Sequence, residues 1–400
     1  MPDTAPTVAP EPAAPAVPKP GRLAGSKRLG MRGSWTWPAA VYLASRLVLL
    51  VVATTVALSQ HRTLTSELTL FDGQWYLRLA RFGYPVHSSH VQSTLGFLPL
   101  YPIAIRALAW TLSSSYTAAA LIISFVGGLL AVVLAQRLAT SWWGGQAGRR
   151  AALAFALFPG SIVFSMAYSE CLTIPLALGC LLALRSQRWL LAGLLAGVAS
   201  AVEPVALALL PVCLFAAARE VRLQGWRSSA ARRSLAAPLL SPLGIAAFAV
   251  FLWTWTGTPF ATLEAQHYGW HHPSEPLAIF SLPITRHLLS HGGTLLRYVL
   301  TWNPWNGVAG GIFLAFSLLA LWRVRHEIGG ETFLYVAGVA FLTLWSVMTL
   351  PNPRMLLVAC PAVLVWARRL SSPRWRLFLA CETVMFVLMS SLTLSGHMLP

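Results

Sequence analysis

The chain has 400 residues, 56% of them hydrophobic and only 10% charged, where an ordinary soluble domain carries about 25% charged residues. The net charge of +17 comes with only 12 acidic residues and no nucleic-acid-binding motif, so it reads as basic residues gathered in cytoplasmic loops and excludes a nucleic-acid partner. The five cysteines (Cys171, Cys180, Cys213, Cys360, Cys381) all lie in apolar runs without a Cys-x-x-Cys pair, which argues against a disulfide framework or a zinc site.

Residues 1–34 are Pro/Ala-rich with late basic residues, a composition that cannot bury a core. They are expected to form a disordered cytoplasmic tail. They do not follow the signal-peptide pattern, since the apolar run starts late and is long. Residues 35–400 are expected to form a single transmembrane domain. The first span is predicted over 36–59. A first outer loop follows over 60–116, amphipathic in places, and it contains the short segment 97–112 with Arg106. Further apolar segments fall near 117–138, 150–167, 170–185, 189–202, 204–218, 236–256, 304–322, 332–350, 355–368 and 377–396. Several are shorter than the roughly 20 residues that cross hydrocarbon comfortably, so tilting or kinking of neighbours has to absorb the mismatch.

The arginine clusters set the sidedness. They are Arg137 with Arg149 and Arg150; Arg185 with Arg188; Arg219 to Arg233; Arg323 with Arg325; and Arg368 to Arg376. All become cytoplasmic if 97–112 lies at the outer surface or re-enters instead of spanning. The expected architecture is an all-α polytopic membrane protein of about eleven transmembrane helices, with the N-terminus inside and the C-terminus outside.

Under that topology unusual polar residues converge on the outer face from five loops. Asp72 lies in Phe71-Asp72-Gly73-Gln74-Trp75-Tyr76. Tyr168-Ser169-Glu170 and Glu203-Pro204 occupy two outer turns. Glu264, Gln266, His267, Trp270, His271 and His272 share a third loop, and Asn352-Pro353-Arg354 occupies a fourth turn. Ionisable groups near membrane depth are costly, which makes each a functional candidate. Each also has a plainer reading: Asp72 and Glu203 as helix caps, Glu170 as a loop-holding ion pair, the histidines as solvated, and Arg354 as a contact to a lipid headgroup.

The motifs carry a resemblance. Phe71-Asp72-Gly73-Gln74-Trp75-Tyr76-Leu77-Arg78-Leu79-Ala80 with Gly83-Tyr84-Pro85 resembles the first-loop signature of the phosphatidylinositol-glycan class V (PIG-V) mannosyltransferases. Phe97-Leu98-Pro99-Leu100-Tyr101-Pro102, Phe158-Pro159 with Ala167-Tyr168-Ser169-Glu170, Gly257-Thr258-Pro259-Phe260 with Gln266 and Trp270, and Pro353-Arg354 before Pro361 resemble further blocks in the family's order. Cys171, Met355 and Glu203-Pro204 depart from the family pattern, which usually has serine, tyrosine and, in many relatives, arginine there.

The resemblance implies a GT-C type glycosyltransferase, a GT-C-like bundle in the plasma membrane with its active site on the extracytoplasmic side. It would move a hexose, mannose by analogy, from a polyprenyl-phosphate donor to a lipid or glycan acceptor. Asp72 is then the expected base, with Glu170 as the second catalytic carboxylate. Trp75, Tyr76, Tyr101, Tyr168, Gln266, Trp270, His271 and Arg354 are expected to bind substrate, with Arg354 and the loop histidines as candidates to stabilise the leaving phosphate. No cofactor or metal is expected, since no Asp-x-Asp or Gly-rich phosphate loop occurs. A glycolipid flippase shares the many spans and the polar cavity, but no internal repeat of the transporter kind is visible.

Overall fold

The computed structural model describes residues 35–87, 91–113, 115–270, 302–345 and 351–399; the N-terminal tail and the His271-His272 pair lie outside the described residues. Every regular element described is helical. Helix α1 (Thr36–Ser59) is followed by a short α2 (Leu64–Glu67) and by α3 (Asp72–Phe82). Next come α4 (Leu100–Thr111), the long α5 (Tyr116–Trp143), α6 (Gly145–Leu157), α7 (Glu170–Arg185) and α8 (Trp189–Ser200). Helices α9 (Leu209–Gln224), α10 (Ser229–Ser234), α11 (Ala236–Leu240), α12 (Leu243–Thr256) and α13 (Ala261–Glu264) complete the first part.

Beyond the undescribed stretch lie α14 (Trp302–Arg323), α15 (Arg325–Ile328), α16 (Gly330–Trp345), α17 (Pro353–Val358), α18 (Pro361–Leu364), α19 (Trp366–Arg369) and α20 (Ser372–Leu394).

Six helical stretches among the described residues are long and apolar enough to cross a membrane: Thr36–Ser59, Tyr116–Trp143, Pro204–Gln224, Ser229–Thr256, Asn306–Arg323 and Ser372–Leu394. The chain is a multi-pass membrane protein. Several of the other apolar segments break up or run short. The segment near 150–167 is helical only to Leu157; Pro159 then opens a 3₁₀ turn over Pro159–Phe164. The segment near 355–368 becomes three short helices, with Pro361 restarting the chain after Cys360. Helix α7 has 16 residues, about 24 Å at 1.5 Å per residue, shorter than the roughly 30 Å of hydrocarbon.

The segment 97–112 holds a helix of 12 residues, too short to cross. Its Arg106 has a local job. The guanidinium donates to the carbonyls of Ala80 at 2.7 Å and Arg81 at 3.1 Å, so it satisfies open acceptors in the last turn of α3 and joins the two helices.

One buried cation was not anticipated. Arg46 of α1 is 6% exposed and donates to the Ala156 carbonyl (3.2 Å), the Ser161 carbonyl (2.7 Å) and hydroxyl (3.0 Å), and the Ser165 hydroxyl (3.2 Å). These bonds replace the helical ladder that Pro159 interrupts, and they fix the 3₁₀ turn in place. The turn packs in its other direction against α17, which carries Arg354.

Candidate functional site

Helix α3 begins at an abrupt reversal. Phe71 has φ 56° and ψ −121°, a conformation that side chains other than glycine's rarely adopt, and Asp72 is the first helical residue. Asp72 does not spend its carboxylate as a cap; its Oδ2 accepts from Arg354 Nη1 at 2.6 Å, from a residue 282 positions away. The Nε of Arg354 pairs with Oε1 of Glu170, the first residue of α7. The guanidinium lies 5.0 Å from the centre of the Tyr168 ring. One arginine therefore bridges two carboxylates and stacks on an aromatic face, geometry that a lysine cannot reproduce.

Exposure separates the two acids. The Asp72 side chain is 26% exposed and Arg354 18%, whereas Glu170 is 0% exposed. Only Asp72 offers a carboxylate edge to an incoming molecule.

Arg354 is placed from below. Asn352 caps α17, its side-chain oxygen accepting from the Met355 amide at 2.9 Å. Gly160, in the 3₁₀ turn held by Arg46, lies against the Pro353–Arg354 backbone. A methyl there would overlap the Pro353 carbonyl and stand 2.9 Å from the Arg354 nitrogen. Gly160→Ala is expected to push the Pro353–Arg354 segment away from the 3₁₀ turn. The overpacking should cost about 1–3 kcal/mol and lower the melting temperature in detergent. Unchanged melting in the Gly160→Ala variant would show that the close approach is dispensable.

A third carboxylate completes the cluster. Glu203, between α8 and the 3₁₀ turn Pro204–Ala208, accepts from the Ser169 hydroxyl at 2.6 Å, and that hydroxyl is 2.6 Å from the Tyr76 hydroxyl. Burial pushes the Glu203 carboxyl above its ordinary range, with Arg354 pulling in the opposite direction. Burial and the neighbouring carboxylates push the Tyr76 phenol well up. Burial also raises the Tyr168 phenol, with Asp72 adding to the shift.

The aromatic residues of the motifs cluster beside these charges. The Trp75 ring meets Trp270 edge-on at 4.9 Å and stacks on Phe97 at 6.3 Å. Tyr76 meets Phe97 at 4.9 Å and Tyr101 at 5.0 Å, both edge-on. Tyr101 is fully buried and its hydroxyl is 3.1 Å from that of Ser124 in α5. Gln266 donates to the Gly96 carbonyl at 2.8 Å and Trp270 to the Ser93 carbonyl at 3.3 Å, so both grip the loop that precedes α4. Tyr84 donates to the Phe97 carbonyl at 2.7 Å from the other side. The Gly-Tyr-Pro, Phe-Leu-Pro and Gln…Trp motifs are thus one interlocked support for α3.

The structure brings together Asp72, Tyr168, Glu170 and Arg354, with Tyr76 one hydrogen bond removed through Ser169. His271 lies outside the described residues. Glu203 is among the polar residues that the sequence expects at the outer turns, with a helix cap as its plainer reading. Arg46 and Gly160 went unnoticed, although an arginine inside the apolar run 36–59 was itself a signal. Among the described residues, no group of three or more His, Cys, Asp or Glu is arranged to hold a metal ion.

No family model matches the chain and no curated protein matches it. Solved structures do. ArnT from Cupriavidus metallidurans, bound to undecaprenyl phosphate, aligns with 91% of this chain and 76% of its own, at 13% identity and a TM-score of 0.50. The apo oligosaccharyltransferase of Archaeoglobus fulgidus aligns with 88% of this chain at 14% identity and a TM-score of 0.47. The chain spans 56% of that protein's length. The likeness to ArnT defines the class: this is an all-α, polytopic membrane protein with a GT-C-like fold.

Proposed function

We propose that the chain is a PIG-V-like membrane glycosyltransferase. It moves a hexose, mannose in our reading, from a polyprenyl-phosphate donor to a hydroxyl of a lipid or glycan acceptor on the extracytoplasmic face. The observation that carries this reading is the partly exposed Asp72 carboxylate, fixed by Arg354 at the head of α3. The undecaprenyl phosphate bound by the GT-C-like ArnT supports the donor class.

In this reading Asp72 takes the proton of the acceptor hydroxyl as its oxygen bonds to the anomeric carbon. The bond from that carbon to the phosphate oxygen breaks, and its electron pair leaves with the polyprenyl phosphate. The departing phosphate needs a cation on the far side of the sugar from the base. Arg354 is already committed to Asp72 and Glu170, so its role is to hold the base. Arg78 suits the phosphate better. It is exposed, lies six residues along α3 from Asp72 (about 9 Å of helical rise), and has its guanidinium 5.6 Å from the Trp75 ring.

The test is transfer of labelled mannose from undecaprenyl-phosphate-mannose to endogenous acceptors in membranes containing the chain. Transfer above that of control membranes is expected, and Arg78→Gln should lower it by about tenfold or more. Absence of transfer with the wild-type chain overturns the proposed function. Undiminished transfer by Arg78→Gln overturns only the phosphate assignment.

A further inference from the structure

Glu203 belongs to the turn after α8, yet its partners lie at the head of α7. The residue is 7% exposed; Ser169 donates to its Oε1 at 2.6 Å, and Thr173, one turn further along, flanks the same carboxylate. A serine hydroxyl has one proton. Given to Glu203, it leaves the Ser169 oxygen as an acceptor, and the Tyr76 hydroxyl 2.6 Å away is then the donor. The hydrogen bonds run one way, from Tyr76 through Ser169 to Glu203. Tyr76 sits one helical turn after Asp72 on α3, and Ser169 immediately precedes Glu170.

We propose that Glu203 is a positioning residue: as terminal acceptor of this chain it locks α3 to the first turn of α7 and holds Asp72 and Glu170 at the spacing Arg354 bridges. This rests on the reading of Asp72 as the base. Ser169 needs an acceptor oxygen at position 203, and a negative charge there is dispensable. An amide keeps that oxygen, whereas a leucine of similar size removes it.

The test uses the full chain in membranes, with undecaprenyl-phosphate-mannose as the probe and initial rates taken across donor concentration. Glu203→Gln should keep kcat within about threefold of wild type, and Glu203→Leu should lower it about tenfold or more with the donor KM within about twofold. Ser169→Ala should lower kcat similarly, and adding Glu203→Leu to it should cost much less than the product of the single losses, because both changes cut the same chain. Three results overturn the proposal: Gln as damaging as Leu, which makes the charge the essential property; Leu without effect; or losses that multiply in full. Should Glu203→Leu fail to fold, Ser169→Ala decides alone, and wild-type kcat in that variant overturns the proposal. Asp72→Asn is measured alongside. If it retains full transfer, the reading of Asp72 has failed, and that result is separate from the behaviour of the residue 203 variants.

Discussion

Asp72→Asn is expected to lower sugar transfer by about a hundredfold or more at matched expression. Asparagine keeps the shape of aspartate and an oxygen that can accept from Arg354, but it cannot take the acceptor proton. The fold should tolerate the change, because Arg354 retains its pair with Glu170 and its place on Tyr168. Melting in detergent should therefore stay near that of the wild type while labelled transfer collapses. Equal transfer by both proteins would make Asp72 a structural residue and remove the base from the mechanism.

The largest effect on stability is expected from Arg354→Met. The substitution leaves Glu170, whose side chain is 0% exposed, as a buried carboxylate without a counter-charge. Breaking a buried pair by removing one partner costs about 3–5 kcal/mol. That is a large part of the roughly 5–15 kcal/mol by which a domain is stable, so most of the protein should be lost or melt early. Adding Glu170→Gln removes the stranded charge, and the double variant should melt closer to wild type than Arg354→Met alone. Transfer should stay low in the double variant, because nothing then holds the Asp72 carboxylate. Melting curves of the three proteins in one detergent decide the matter. A wild-type melting temperature for Arg354→Met would mean that the ion pair does not hold these segments together.

Composition and pattern determined a good deal. The near-continuous apolar runs with few charges specify a helical membrane protein, because a chain in hydrocarbon must satisfy its own backbone hydrogen bonds. A costly group in such a chain is conspicuous wherever it ends up, and so Asp72, Glu170 and Arg354 could each be singled out without knowing their partners. The segment 97–112 could be set apart from the spans because only then do all the arginine clusters fall on one side, and it carries Arg106.

Tertiary packing decided the rest. The ion pair between Asp72 and Arg354 joins residues 282 apart, and no local pattern encodes which cation will meet which acid. Apolarity alone did not reveal that the segment near 150–167 ends its helix at Leu157 and that Arg46 rescues the freed carbonyls; this depends on α1 lying against that turn. Nor did it reveal that Tyr101, Gln266 and Trp270 spend their polar atoms on the protein itself, or that Glu203 closes a hydrogen-bond chain begun by Tyr76. Sequence reports the price of burying a group, which is a property of the residue. Which partner offsets that cost is a property of distances across the bundle, and only the folded chain sets them.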